Sequence, residues 1–154
     1  MAKSVLGALA LLVSLNSTMC CGLASADDGK ISLHFTNLNS DKGVVRVALF
    51  KDKKSFSESD GGDAEKAFKK DTAPIKNGVC DYSFDKVPYG DYAIKAFHDE
   101  DNSGNFVKGT FGIPKVQYAF SNNAKGAFGP PSYEKAKFSL NKEQLDMAIK
   151  MIGK

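Results

Sequence analysis

Apolar and polar residues alternate with a period of two along most of the chain, the signature of strands that bury one face. Ile31, Leu33 and Phe35 point one way while Ser32 and His34 point the other. After the turn-forming run Asn37–Lys42 and Gly43, the alternation resumes with Val45, Val47 and Leu49 inward and Arg46 outward, so Lys30–Thr36 and Val44–Phe50 are expected to form a hairpin. Residues 51–72 break the pattern and are expected to form a loop with one or two helical turns, the turns placing Ala64, Ala67 and Phe68 on one side. The pair Asn77-Gly78 predicts a tight turn. Strands follow at Val79–Phe84, with Cys80, Tyr82 and Phe84 on one face, and at Asp91–His98, with Tyr92, Ile94, Ala96 and His98 sharing a face. Val87–Gly90 is the turn between them. Lys135–Leu140 places Ala136, Phe138 and Leu140 on one side. In the last segment Met147, Ile149 and Met151 fit a strand, while Leu145, Ala148, Ile149 and Ile152 fit a helix. Asn141–Gln144 reads as a hairpin loop and tips that segment to a strand.

Six or seven strands with turns between them and little helix predict an all-β fold, an antiparallel β-sandwich with one face of each sheet in water. No repeat or linker divides residues 27–154, which are expected to form a single domain. The preceding residues read as an address. Lys3 supplies a positive start, Val5–Leu15 is an apolar run of eleven, and Leu23-Ala24-Ser25-Ala26 ends in small-x-small. This is the pattern of a secretory signal cleaved after Ala26. A membrane-spanning helix needs roughly twenty apolar residues. Lipidation at Cys20-Cys21 is the competing reading, against which stands Met19, a large residue where small ones are usual. An exported chain, periplasmic or extracellular, with no transmembrane segment after cleavage, is the expectation.

Cleavage would leave Cys80 alone, so no intrachain disulfide can staple the remainder. A buried hydrophobic role for Cys80 fits better than a reactive thiol, because no basic cluster adjoins it. The formal charge of +3 sets 21 basic against 18 acidic residues, and Arg46 is the sole arginine. A lysine-dominated basic set lacks the forked donors that base and phosphate recognition favours, which argues against nucleic acid as a partner.

Candidate chemistry lies between His98 and Tyr133. Asp99, Asp101 and Ser103 place oxygens at alternate positions, followed by Gly104 and Asn105, as in the first half of a calcium loop. A helix-loop-helix site would carry a glutamate eleven residues after Asp99, where this chain has Thr110. Ca2+ held by Asp99, Asp101, Ser103 and Asn105 competes with a purely acidic turn. His98 reads as a metal or proton-transfer group, or as a hydrogen-bond donor fixing the loop. No nucleophile elbow, zinc spacing or phosphate-binding glycine loop is present. Phe106–Tyr133 is long for a connection and rich in Gly, Asn, Pro and aromatics. Either it packs over the sandwich by its own rings or it lines a ligand groove.

Several blocks occur in order: Val87-Pro88-Tyr89-Gly90-Asp91-Tyr92-Ala93, His98-Asp99-Glu100, Gly112-Ile113-Pro114-Lys115, Tyr118-Ala119-Phe120-Ser121-Asn122-Asn123 and Gly129-Pro130-Pro131-Ser132-Tyr133. In these the chain resembles the secreted bacterial domain-of-unknown-function family 2141 over nearly all of residues 27–154. The resemblance implies a transthyretin-like or immunoglobulin-like β-sandwich exported from a bacterial cell, and carries no established activity with it. Asp101 and Ser103 stand where the family commonly has asparagines, and Val107 where it has an acidic residue, which weakens a calcium site. Ala119 replaces a glycine and Tyr133 a phenylalanine. Two functions remain open. One is a non-enzymatic envelope module that shows a loop to a partner, glycan or small ligand through His98, Phe111, Tyr118, Phe120, Asn122, Asn123 and Tyr133. The other is a hydrolase-type or metal-dependent enzyme using His98 with Asp99 or Asp101. The oligomeric state is not encoded in any pattern found.

Overall fold

The computed structural model describes residues 27–59 and 64–153. The expected signal segment, 1–26, lies outside the described residues. Among the described residues eight strands form two sheets. β1 (Asp28–Thr36) lies between β4 (Cys80–Pro88) and β8 (Gln144–Lys150) in a three-stranded sheet. The five-stranded sheet runs β3 (Lys69–Pro74), β2 (Val44–Phe50), β5 (Gly90–Asp99), β6 (Tyr118–Phe120), with β7 (Phe138–Leu140) on the N-terminal end of β5. The all-β sandwich expected from the alternation is the fold.

The alternating residues meet between the sheets. Ile31, Leu33 and Phe35 of β1 pack against Val45, Val47 and Leu49 of β2 and Tyr92, Ile94 and Ala96 of β5, with Leu140, Ile149 and Met151 closing the core. Each large side chain buried there contributes about 1.5–3 kcal/mol by leaving water. Cys80 is a buried member of this core, and burial pushes its thiol up to about 11, which removes the thiolate a reactive cysteine needs.

The connections differ from expectation in instructive ways. β1 and β2 are not a hairpin: the turn at 37–43 carries the chain from one sheet to the other, because both inward faces address one core from opposite sides. Asn141–Gln144 likewise crosses between sheets instead of closing a hairpin, and β8 runs parallel to β1, from Lys30 opposite Gln144 to Thr36 opposite Lys150. The last segment is a strand, as its alternation predicts. The helical turns come earlier than predicted, in α1 (Lys53–Glu58), whose first turn is capped by the Asp52 carboxylate accepting from Ser55 N at 2.9 Å. Of the expected 64–70 turns only a 3-10 turn at Ala64–Lys66 forms, and β3 begins at Lys69. Its sequence KKDTAP hides it, since Ala73 alone is buried; lysines on an edge strand discourage pairing with other chains. The predicted strand at 135–140 is split between α2 (Tyr133–Ala136) and β7.

The wet outer face holds for the three-stranded sheet and fails for the other. β5 is buried on both sides from Tyr92 to Asp99. Over its outer face, Phe56 of α1 and Tyr133 and Ala136 of α2 cover Ala48, Phe50, Ala93 and Phe120. The Phe56 ring centre lies 5.6 Å from Phe50, 6.2 Å from Phe120 and 5.7 Å from Tyr133. Lys95 is enclosed in this second core, its ammonium donating to Phe56 O and Ser59 O and standing 4.3 Å over the Phe56 ring. A cation at these C-terminal carbonyls pins α1 to the sheet.

Candidate functional site

β5 ends in His98-Asp99, and both side chains turn into protein. His98 is buried, and its Nε2–H donates to Lys42 O at 2.7 Å, since a carbonyl only accepts. Nδ1 lies 3.5 Å from Gln117 Oε1 and 4.0 Å from Glu100 Oε1. Gln117 is itself buried: its Oε1 accepts from Asn39 N and its Nε2 donates to Asn37 O, both at 2.8 Å. His98 and Gln117 therefore tie the 37–43 crossing to the end of β5 and the start of β6. Gly43 completes the junction, because a Cβ there would stand 2.0 Å from Asp99 O.

The turn after β5 folds around a carboxylate and a guanidinium. Asp99, 1% exposed, accepts from Arg46 Nε at 2.5 Å, from Gly104 N at 2.9 Å and from Ser103 N at 3.1 Å. Gly104 lies against the Arg46 guanidinium, 3.6 Å from where its Cβ would be. Asp101 is exposed and accepts from Ser103 N at 3.2 Å; hydrogen bonds from Ser103 hold its carboxyl below the usual range. Ser103 Oγ accepts from Asn105 N at 3.3 Å. Of the four residues read as calcium ligands, Asp99 faces Arg46 and the loop's own N–H groups, as does Asp101 in part. Among the described residues, no three His, Cys, Asp or Glu side chains gather in a way that could hold a metal ion.

The long connection divides into two regions. Ser121-Asn122-Asn123 follows β6 in a 3-10 turn in which both asparagines take left-handed φ, 59° and 51°. Ser121 Oγ, fully buried, donates to Ala136 O at 2.5 Å and accepts from Ile94 N at 2.9 Å. Asn122 Nδ2 donates to Lys137 O at 2.7 Å. Asn123 Nδ2 donates to Ala148 O at 3.2 Å while its Oδ1 accepts from Lys150 N at 2.7 Å, a two-point bond along the β8 edge. Three consecutive polar side chains thus fasten β5, α2 with its C-terminal cap Lys137, and β8 together. Tyr118 is half-buried; Phe120 and Tyr133 are buried, with the Tyr133 hydroxyl reaching Lys51 O at 3.3 Å.

The other region projects. From Val107 to Lys115 the chain forms a finger, closed by a bridge between Lys108 and Pro114 and by Lys115 N donating to Val107 O at 2.9 Å and Gly109 N to Ile113 O at 2.7 Å. Phe106 roots it, its ring centre 5.5 Å from Phe97 and 6.3 Å from Tyr118. Phe111 sits at the tip in a left-handed conformation (φ 60°, ψ 21°) and is 96% exposed, with Ile113 65% exposed and Val107 42% exposed beside it. A second tip, at Lys125–Pro130, carries a fully exposed Phe128.

Of the seven residues proposed to present a ligand surface, Phe111 is held out in solvent as a whole ring. His98, Phe120 and Tyr133 are interior, Tyr118 is half-interior, and Asn122 and Asn123 bond backbone. A crevice of about 180 Å³ beside Phe120, Asn123 and Lys150 is smaller than the roughly 300 Å³ at which ligand pockets begin. Another hollow, about 760 Å³, opens on the outer face of the three-stranded sheet along Ser32, His34, Asp81, Ser83 and Asp146, away from every proposed site residue. The sequence reading missed Arg46, Gln117 and Ser121 as organising residues. Arg46 had a signal, being the sole arginine in an inward-outward strand; Gln117 had none.

A family model described as an uncharacterized protein conserved in bacteria (DUF2141) matches residues 33–148, from Leu33 in β1 to Ala148 in β8. The chain belongs to this family. The DUF2141 match takes in both sheets, the Asp99 turn, the finger and the 121–123 fastening, all but the extreme ends of the sandwich. It establishes kinship and leaves the chemistry to be argued from the residues. No curated protein and no solved structure matches the chain.

Proposed function

We propose that this protein is an exported, non-enzymatic binding module of the cell envelope that presents the 107–115 finger to a partner. The observation that carries the reading is Phe111. A whole phenyl ring in water, on a backbone conformation that bulky residues avoid, is an arrangement the fold gains nothing from. Sequence supports export through the Lys3, Val5–Leu15 and Leu23–Ala26 pattern. The enzymatic alternative is disfavoured by the same geometry that organises the loops: His98 has its Nε2 on Lys42 O, and Asp99 is closed off by Arg46. A general acid or base must reach a substrate proton. In this reading His98 and the 99–105 turn are fold devices, with Arg46 supplying the positive charge that Asp99 faces.

Cell fractionation of the full chain, expressed with its own leader, tests the proposal. The parent is expected in the envelope fraction and Phe111→Asp in the soluble exported fraction. Equal retention of the two overturns it.

A further inference from the structure

The 107–115 finger has the build of a membrane-surface anchor, and we infer that its partner is an anionic lipid bilayer; this rests on the reading of the finger as a presenting element. Three observations select lipid over protein. First, the apolar surface is convex and narrow. Val107, Phe111 and Ile113 stand on one nine-residue hairpin, and a Cβ on Gly112 would meet nothing within 4 Å. Stable protein interfaces need roughly 800 Å² per partner with complementary shape, which a tip of this size does not offer. A fluid bilayer accepts a protruding ring without a shaped pocket.

Second, the charge is one-sided. From Phe106 to Tyr133 the chain contains Lys108, Lys115 and Lys125 and no aspartate or glutamate. Lys108 and Lys115 face each other's strand across the finger, two residues from Thr110 on one side and Ile113 on the other. The Lys115 stem lies along Gly109, where a Cβ would be 2.9 Å from its Cε, leaving the ammonium beyond the apolar stem. The Lys108 ammonium stands over the Phe106 ring, 5.9 Å from its centre, so both lysines put positive charge beside the apolar tip, where an anionic headgroup layer attracts each at about 1 kcal/mol near the surface.

Third, the finger is braced. Its cross-strand hydrogen bonds and the Phe106 ring on Phe97 and Tyr118 fix its direction before contact, so little ordering cost falls on binding. The second tip repeats the composition, with Phe128 fully exposed three residues after Lys125 and next to Gly129.

The chain contains no tryptophan, so Phe111→Trp supplies a single local reporter. The experiment adds vesicles of phosphatidylethanolamine with phosphatidylglycerol, or of phosphatidylcholine alone, to the full-length variant and follows emission; the apolar Val5–Leu15 run is common to every arm. A blue shift on the anionic vesicles, weakened by salt and by Lys108→Gln with Lys115→Gln, is expected. In parallel, Phe111→Ala should weaken sedimentation with those vesicles at least tenfold, the effect of losing one buried ring. An unshifted emission with all vesicles overturns the lipid assignment. Should Phe111→Asp still leave the envelope fraction in that case, the finger binds something other than lipid and the reading above stands; retention of that variant removes both.

Discussion

The two halves of the long connection share a composition and have opposite fates. Tyr118–Asn123 and Val107–Lys115 are both mixtures of aromatic, glycine or asparagine, and lysine-adjacent residues, and both contain non-glycine residues with left-handed φ. In the first, the strained asparagines bond through their amides to the backbone of α2, of Lys137 just after it and of β8. In the second, the strained residue is Phe111, which bonds and packs against almost nothing. Strain that is repaid by hydrogen bonds belongs to the fold. Strain at an exposed ring is repaid, if anywhere, in a complex.

Variants that separate the two halves follow from this contrast. The largest loss is expected at the turn feeding the finger. Asp99→Ala would leave the part-buried Arg46 guanidinium and the Ser103 and Gly104 N–H groups without their acceptor, costing about 2–4 kcal/mol in urea unfolding. A loss below about 1 kcal/mol would show that the turn does not depend on that carboxylate. Ser121→Ala removes one buried hydroxyl that serves Ile94 N and Ala136 O and should lower stability by about 1–3 kcal/mol. Thermal melts of Ser121→Ala against the parent check it, and an unchanged midpoint would break the assignment of 121–123 to the fold. Phe111 stands at the other end of this scale.

The sheets were legible because their alternation survives in the buried faces: Ile31, Leu33, Phe35 and Tyr92, Ile94, Ala96 lie where period two puts them. Connectivity was not. Alternation says which face a strand buries and nothing about its neighbour, so two strands one turn apart went to different sheets and β8 took a parallel place beside β1. β3 escaped because an edge strand of lysines needs only Ala73 inside. At the candidate site, residue type singled out 98–133, and the fold divides that stretch between side chains bonded to backbone and the exposed ring of Phe111. Asn122 and Asn123 carry the groups a ligand would want, but the same groups satisfy backbone, and only coordinates tell which partner they have. His98 beside Asp99 reads as chemistry in one dimension. In three, His98 Nε2–H is bonded to Lys42 O inside the fold and the Asp99 carboxylate to Arg46.

The central claim is that Phe111 serves a partner and not the fold, and the urea unfolding of Phe111→Gly tests it most directly. Glycine relieves the left-handed φ while adding freedom to the unfolded chain, and these effects nearly cancel. The account predicts stability within about 0.5 kcal/mol of the parent, with the same dependence on urea. A loss of about 2 kcal/mol or more, the size expected of a buried ring, would contradict it and return Phe111 to the fold.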